Sequence, residues 1–124
     1  MSARILVVDD LAPNLHLLEV KLQAEYYDVL TAKSGYQALE IANEEKLDLI
    51  LMDAMMPGMN GFEATKYIKE HFPEIRIIIV SMYMGEEVIL DLIKAGAASY
   101  LDKNTDHLEL EKAIKEVFHN KQYY

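Results

Sequence analysis

Five short apolar runs, each followed by a stretch in which apolar residues recur at helical spacing, constrain this chain more than any other feature. The first, Arg4 to Val8, is a continuous branched-aliphatic segment too short for a helix, as expected of a strand buried on both faces. Val29 to Ala32, Leu47 to Met52, Arg76 to Val80 and Ser99 to Leu101 follow, and the consecutive β-branched residues Ile77 to Val80 make the fourth the clearest. Between them, Pro13 suits the first turn of a helix in which Leu15, Leu18 and Leu22 recur through Ala24. Ser34 reads as the N-cap of a second helix, with Ala38, Leu39 and Ala42 turned inward. Asn60 with Glu63 reads as a capping pair opening a third, which runs to His71 and is closed by Pro73. A fourth runs from Glu86 to Lys94 and stops at Gly96; Thr105 reads as the cap of a fifth, striped by Leu110, Ile114, Val117 and Phe118.

Strands that alternate with helices in this way form a parallel sheet covered on both faces and joined by right-handed crossovers. The expectation is an α/β domain of five βα units, a doubly wound five-stranded sheet of flavodoxin-like order 2-1-3-4-5. At 124 residues, 52% of them hydrophobic, the chain reads as a single domain spanning residues 1–124 with a real core. A net charge of −9 argues against gripping a nucleic-acid backbone, whose affinity comes from basic residues. The absence of cysteine excludes disulfides and thiolate chemistry and suits a reducing compartment. With no signal-peptide pattern and no long apolar stretch, a cytoplasmic protein without a membrane partner is expected. The seven methionines read as core filler, and the four histidines, which share no metal-ligand spacing, as surface or helix-end residues.

Open parallel sheets bind ligands at the carboxyl edge of their strands, and here those edges carry chemistry. Asp9 and Asp10 follow the first run, Asp53 the third, Ser81 the fourth and Lys103 the fifth. Three carboxylates within a few ångströms repel one another, more so when buried, so such a cluster holds a divalent cation, shifts a pKa, or both. Without metal, the like charges are expected to stand uncompensated.

The ordered set Val7-Val8-Asp9-Asp10, Met52-Asp53-x-x-Met56-Pro57-Gly58-Met59-Asn60-Gly61 and Tyr100-x-x-Lys103 resembles the receiver domain of bacterial two-component response regulators over nearly the whole chain. The resemblance implies a phosphoacceptor rather than an enzyme. Asp53 would take a phosphoryl group from a histidine kinase or phosphotransfer protein, and Asp9, Asp10, Asp53 and the backbone carbonyl of Met55 would hold Mg²⁺. Lys103 would contact the phosphoryl oxygens. Ser81 and Tyr100 would act as switch residues that remodel the face of the fourth helix, fifth strand and fifth helix, through which a homodimer would form. Magnesium, an oxygen-seeking cation that favours octahedral geometry, suits such a set, and phosphoryl transfer depends mainly on positioning and electrostatics.

The chain departs from the commonest receiver pattern in places. Asn104 follows Lys103 where many receivers have proline after a cis peptide, which leaves the isomer of that bond open; Met82 is bulkier than the alanine often found there. The first segment resembles receivers attached to cyclic-dinucleotide synthases or hybrid kinases, and Leu101 to Phe118 resembles receivers of the nitrate-regulator type, a combination that natural drift, recombination or design would each produce. Among other readings, a haloacid-dehalogenase-type phosphatase wants D-x-D after its first strand, where this chain has adjacent Asp9-Asp10. A flavodoxin-like electron carrier needs a hydroxyl- and glycine-rich loop that Leu11-Ala12-Pro13 does not provide. An inert engineered scaffold would differ from a signalling module in lacking phosphorylation and Mg²⁺ binding.

Overall fold

The computed structural model describes residues 3–82 and 85–120, the side chains of His107 and Asn120 excepted. Five parallel strands, β1 (Arg4–Val8), β2 (Asp28–Ala32), β3 (Leu49–Asp53), β4 (Arg76–Ser81) and β5 (Ser99–Asp102), pair in the order β2-β1-β3-β4-β5. They alternate with α1 (Ala12–Ala24), α2 (Gly35–Glu44), α3 (Gly61–His71), α4 (Glu86–Ala95) and α5 (His107–Asn120). The expected fold class and strand order are both present. No described helix is long and apolar enough to cross a membrane.

The strand pleat sorts the core into two layers, because successive side chains point to opposite faces. On one face Ile5, Val7, Leu49, Leu51, Ile78 and Val80 meet Leu15 and Leu22 of α1 and Leu110, Ile114 and Val117 of α5. On the other, Leu6, Val8, Ile50, Met52, Ile77 and Ile79 meet Ala38 and Ala42 of α2, Ala64 and Ile68 of α3 and Leu92 of α4. The three central strands are therefore apolar on both faces over Ile5–Val8, Leu49–Met52 and Ile77–Val80, which explains why those runs read as continuous rather than alternating.

The helix ends follow local chemistry. The Ser34 hydroxyl accepts from the Gln37 N–H, and Asn60 and Glu63 form a reciprocal capping box at 2.9 and 3.3 Å. Gly96 ends α4 at φ +118°, a left-handed conformation that favours glycine. Two expectations need correction. The cap of α5 is Asp106, whose carboxylate accepts from the Glu109 N–H at 2.9 Å; Thr105 instead donates its N–H to the Asp102 carbonyl. The third strand starts at Leu49 rather than Leu47, because the chain bends at Asp48, whose N–H donates to the Arg4 carbonyl at 2.9 Å while its carboxylate accepts from the Arg4 N–H at 2.8 Å. Among the described residues no peptide bond is cis, so the Lys103–Asn104 bond is trans.

Candidate functional site

Asp9 lies just past the last paired residue of β1, and its N–H continues the ladder by donating to the Ala32 carbonyl at 3.1 Å. Asp53 is the last residue of β3 and pairs with Val80. The pleat then decides which way each side chain faces. Asp9 follows the parity of Ile5 and Val7, Asp53 that of Leu49 and Leu51, and Lys103 that of Leu101, all on the layer of α1 and α5. Ser81 follows Ile77 and Ile79, and Tyr100 lies opposite Ile79, both on the layer of α2, α3 and α4.

The ligand oxygens of Asp9, Asp10 and Asp53 lie within 4.8 Å of one another. Asp9 and Asp53 are buried, at 2% and 3% exposure, while Asp10 is more open to solvent. Each buried carboxylate is used twice. One oxygen of Asp9 accepts from the Leu11 N–H at 3.0 Å and the other from the Lys103 ammonium at 2.9 Å. Asp53 repeats the arrangement, with Oδ1 accepting from the Met55 N–H at 3.2 Å and Oδ2 lying 3.3 Å from Lys103 Nζ.

Burial pushes the Asp53 carboxyl up to about 6; the Met55 N–H opposes this, the nearby Asp9 charge adds to it, and Lys103 opposes it. For Lys103 burial favours the neutral amine, but the hydrogen bond to Asp9 and the Asp53 and Asp9 charges outweigh it and raise the pKa. The expectation of uncompensated repulsion is thus corrected. Lys103 bridges the two buried acids, and desolvation ranks ahead of like-charge repulsion in raising Asp53.

The remaining site residues sit around this centre. Ser81 is buried at the end of β4, and its carbonyl accepts the Lys103 N–H at 2.8 Å, so the backbone of one fixes the start of the other. Tyr100 stands 40% exposed. Met55 and Met82 are also exposed, against the reading of the methionines as core filler. Of the described histidine side chains, His71 stacks on Tyr67 at the end of α3 and His16 and His119 are exposed; none of these three joins the acidic cluster.

Sequence reading missed two kinds of contributor. The Leu11 and Met55 N–H groups leave no side-chain signature. Gly61 was legible only as a loop glycine, yet a Cβ there would lie 2.6 Å from the Asp53 carbonyl oxygen and 2.8 Å from Ala54 Cα, and its N–H donates to the Ala54 carbonyl at 3.1 Å. Only glycine lets α3 start so close to the end of β3. A glycine directly after the N-cap Asn60, where helix initiation does not require one, was the available signal.

Three convergent carboxylates form a donor set that fits a hard divalent cation taking oxygen ligands. A carboxylate held at the sheet edge beside an ammonium is also placed to act as a nucleophile toward an electrophile that brings negative charge, since Lys103 can turn from Asp53 to the arriving oxygens.

Comparison with known proteins agrees with this geometry. The model of the response regulator receiver domain matches residues 5–115. The response regulator PleD of Caulobacter vibrioides is 40% identical over 120 residues, covering 93% of this chain, which spans only 26% of that protein's length. Sporulation initiation phosphotransferase F of Bacillus subtilis is 36% identical over 115 residues, covering 93% of each chain. Among solved structures, a CheY-like response regulator receiver domain protein from Methanospirillum hungatei superposes with a TM-score of 0.93 at 29% identity, covering 97% of this chain and 96% of that one.

Proposed function

Since the chain belongs to the response regulator receiver domain family, and so is a phosphoacceptor module rather than an enzyme, we propose that Asp53 is the residue that accepts the phosphoryl group. The observation that carries this reading is Lys103 bridging Asp9 and Asp53 at 2.9 and 3.3 Å in a buried acidic cluster. The donor is a phosphohistidine on a kinase or phosphotransfer protein. An Asp53 oxygen attacks phosphorus, the O–P bond forms as the P–N bond breaks, and the histidine of the donor leaves with the electron pair. Lys103 transfers its contact from the Asp53 oxygen to a phosphoryl oxygen. Asp9, Asp10, Asp53 and the Met55 carbonyl would hold Mg²⁺, whose chemistry there is to offset the charge of the phosphoryl group.

Ser81 and Tyr100 share the opposite layer of the sheet, so a hydroxyl drawn toward a phosphoryl group at Asp53 changes the packing beside Tyr100 and α4. Readout is then a population shift between two states of the α4, β5 and α5 face, whose elements carry the exposed apolar residues Val88, Leu90, Tyr100 and Leu108. The donor approaches over α1, where Leu11, two residues past Asp9, and Leu17 and Val20 further along the helix present exposed apolar surface.

Incubation with acetyl phosphate and Mg²⁺ is expected to add one phosphate, mapped by mass spectrometry to Asp53, and Asp53→Asn is expected to abolish it. An adduct of unchanged stoichiometry in that variant would overturn the assignment.

A further inference from the structure

The chain has no cysteine, so its thioethers are its only readily oxidised side-chain sulfurs. Their distribution is uneven. Met52 and Met56 are buried, at 0% and 7% exposure, and Met59 is half-buried, whereas Met55 is 71% and Met82 61% exposed. Among the described residues, both exposed methionines belong to the two segments that hold the acidic site. The N–H of Met55 donates to Asp53 Oδ1, and Met82 directly follows Ser81, whose carbonyl fixes the Lys103 N–H.

We propose that Met55 and Met82 are sites of reversible oxidation by hydroperoxides, and that their sulfoxides slow phosphoryl transfer to Asp53. The inference rests on the Asp53 reading above. In the step itself a thioether lone pair attacks one peroxide oxygen, the O–O bond breaks and the S–O bond forms. The departing oxygen takes the proton and leaves as water or an alcohol. Sulfur loses two electrons and the peroxide gains them.

The product replaces a soft apolar tip by a larger polar one whose oxygen carries partial negative charge. Three carboxylates already surround the place where a phosphoryl dianion must arrive, with Lys103 the ammonium that bridges the two buried ones. Met55 lies two residues past Asp53 and Met82 one residue past Ser81 at this sheet edge, so a further negative dipole there works in the same direction as those carboxylates. Buried Met52 and Met56 are protected, so mild oxidation acts on the rim and leaves the two core layers intact.

The whole chain is treated with hydrogen peroxide in EDTA, cleared of oxidant with catalase, and given acetyl phosphate with Mg²⁺. Peptide masses are expected to place the first oxygens on Met55 and Met82. The rate of adduct formation should fall by about three- to tenfold, a barrier increase of up to about 1.4 kcal/mol. Methionine sulfoxide reductases A and B together should restore it, with thermal melts unchanged throughout. A Met55→Leu/Met82→Leu variant, compared with its own untreated sample, should lose no rate on oxidation. An oxidised protein phosphorylated as fast as the untreated one, or an equal loss in the double variant, overturns the inference and leaves the Asp53 reading standing. No adduct on Asp53 even in untreated protein overturns the Asp53 reading, and the inference with it.

Discussion

The Asp53 carboxyl holds its proton to about pH 6 because folding strips water from it faster than Lys103 and the Met55 N–H can compensate. A folded pKa above the ordinary 3.8 has a definite sign. The folded chain binds the proton more tightly than the unfolded one, so this contribution is complete below about pH 3.8 and is lost as pH rises through 6. Above that, the ionised carboxylate is a cost. Asp53→Ala is therefore expected to stabilise the metal-free protein at pH 7.5 by on the order of 1 kcal/mol, less than the full shift implies because truncation also removes the Lys103 contact. The gain should shrink toward pH 4. Urea unfolding in EDTA at the two pH values measures it, and a less stable variant at pH 7.5 contradicts the argument. Millimolar Mg²⁺ should raise the melting temperature of the parent at pH 7.5, more weakly as protons compete for Asp53 below pH 6, and leave the variant unmoved. Asp9, Asp10, Asp53, Ser81 and Lys103 were legible because each is a polar residue ending an apolar run. The ranking of burial over repulsion was not, since it depends on how far each carboxylate lies from water and on where the Lys103 side chain reaches.

At the level of elements, the apolar runs and helical stripes located all ten segments because each satisfies a local rule and the global fold together. Boundaries were less legible where two residues compete for one role. Thr105 and Asp106 are both acceptable caps, and only the course of the chain after β5 selects Asp106. Likewise Leu47 is as apolar as Leu49, but the chain bends at Asp48, where the side chain and the N–H both engage the Arg4 backbone, and β3 starts after it. The end of α1 at Ala24 was legible, but not the conformation of the chain that leaves it. Tyr26 adopts φ +68° there, with its N–H donating to the Gln23 carbonyl, and its side chain is 85% exposed. An L-residue in that conformation is strained by roughly 1–2 kcal/mol, part of which glycine returns as unfolded-state entropy. Tyr26→Gly is expected to stabilise the protein by about 0.5–1 kcal/mol, read as a higher denaturant midpoint at constant slope.

For the molecule as a whole, the pleat divides labour between two layers: Asp9, Asp53 and Lys103 face α1 and α5, and Ser81 and Tyr100 face α4. A phosphoryl group on Asp53, as proposed, would lie between them, which would give one covalent event access to both layers. If that surface is the readout, beryllofluoride with Mg²⁺ should shift sedimentation of the chain toward a dimer, and Val88→Glu with Leu90→Glu should prevent the shift. Identical sedimentation with and without the mimic would remove dimerisation as the output. The strand order also has a temporal meaning. The acids meet as soon as β1 pairs with β3, which needs the chain only as far as residue 53, whereas their bridging ammonium arrives with β5. A chain leaving the ribosome, or collapsing from denaturant, therefore passes through a stage in which the sheet edge is a bare anionic trap and the final strand is the one that carries its cation. Long-range attraction then adds to hydrophobic burial in closing the fold, so refolding should slow as added salt screens it.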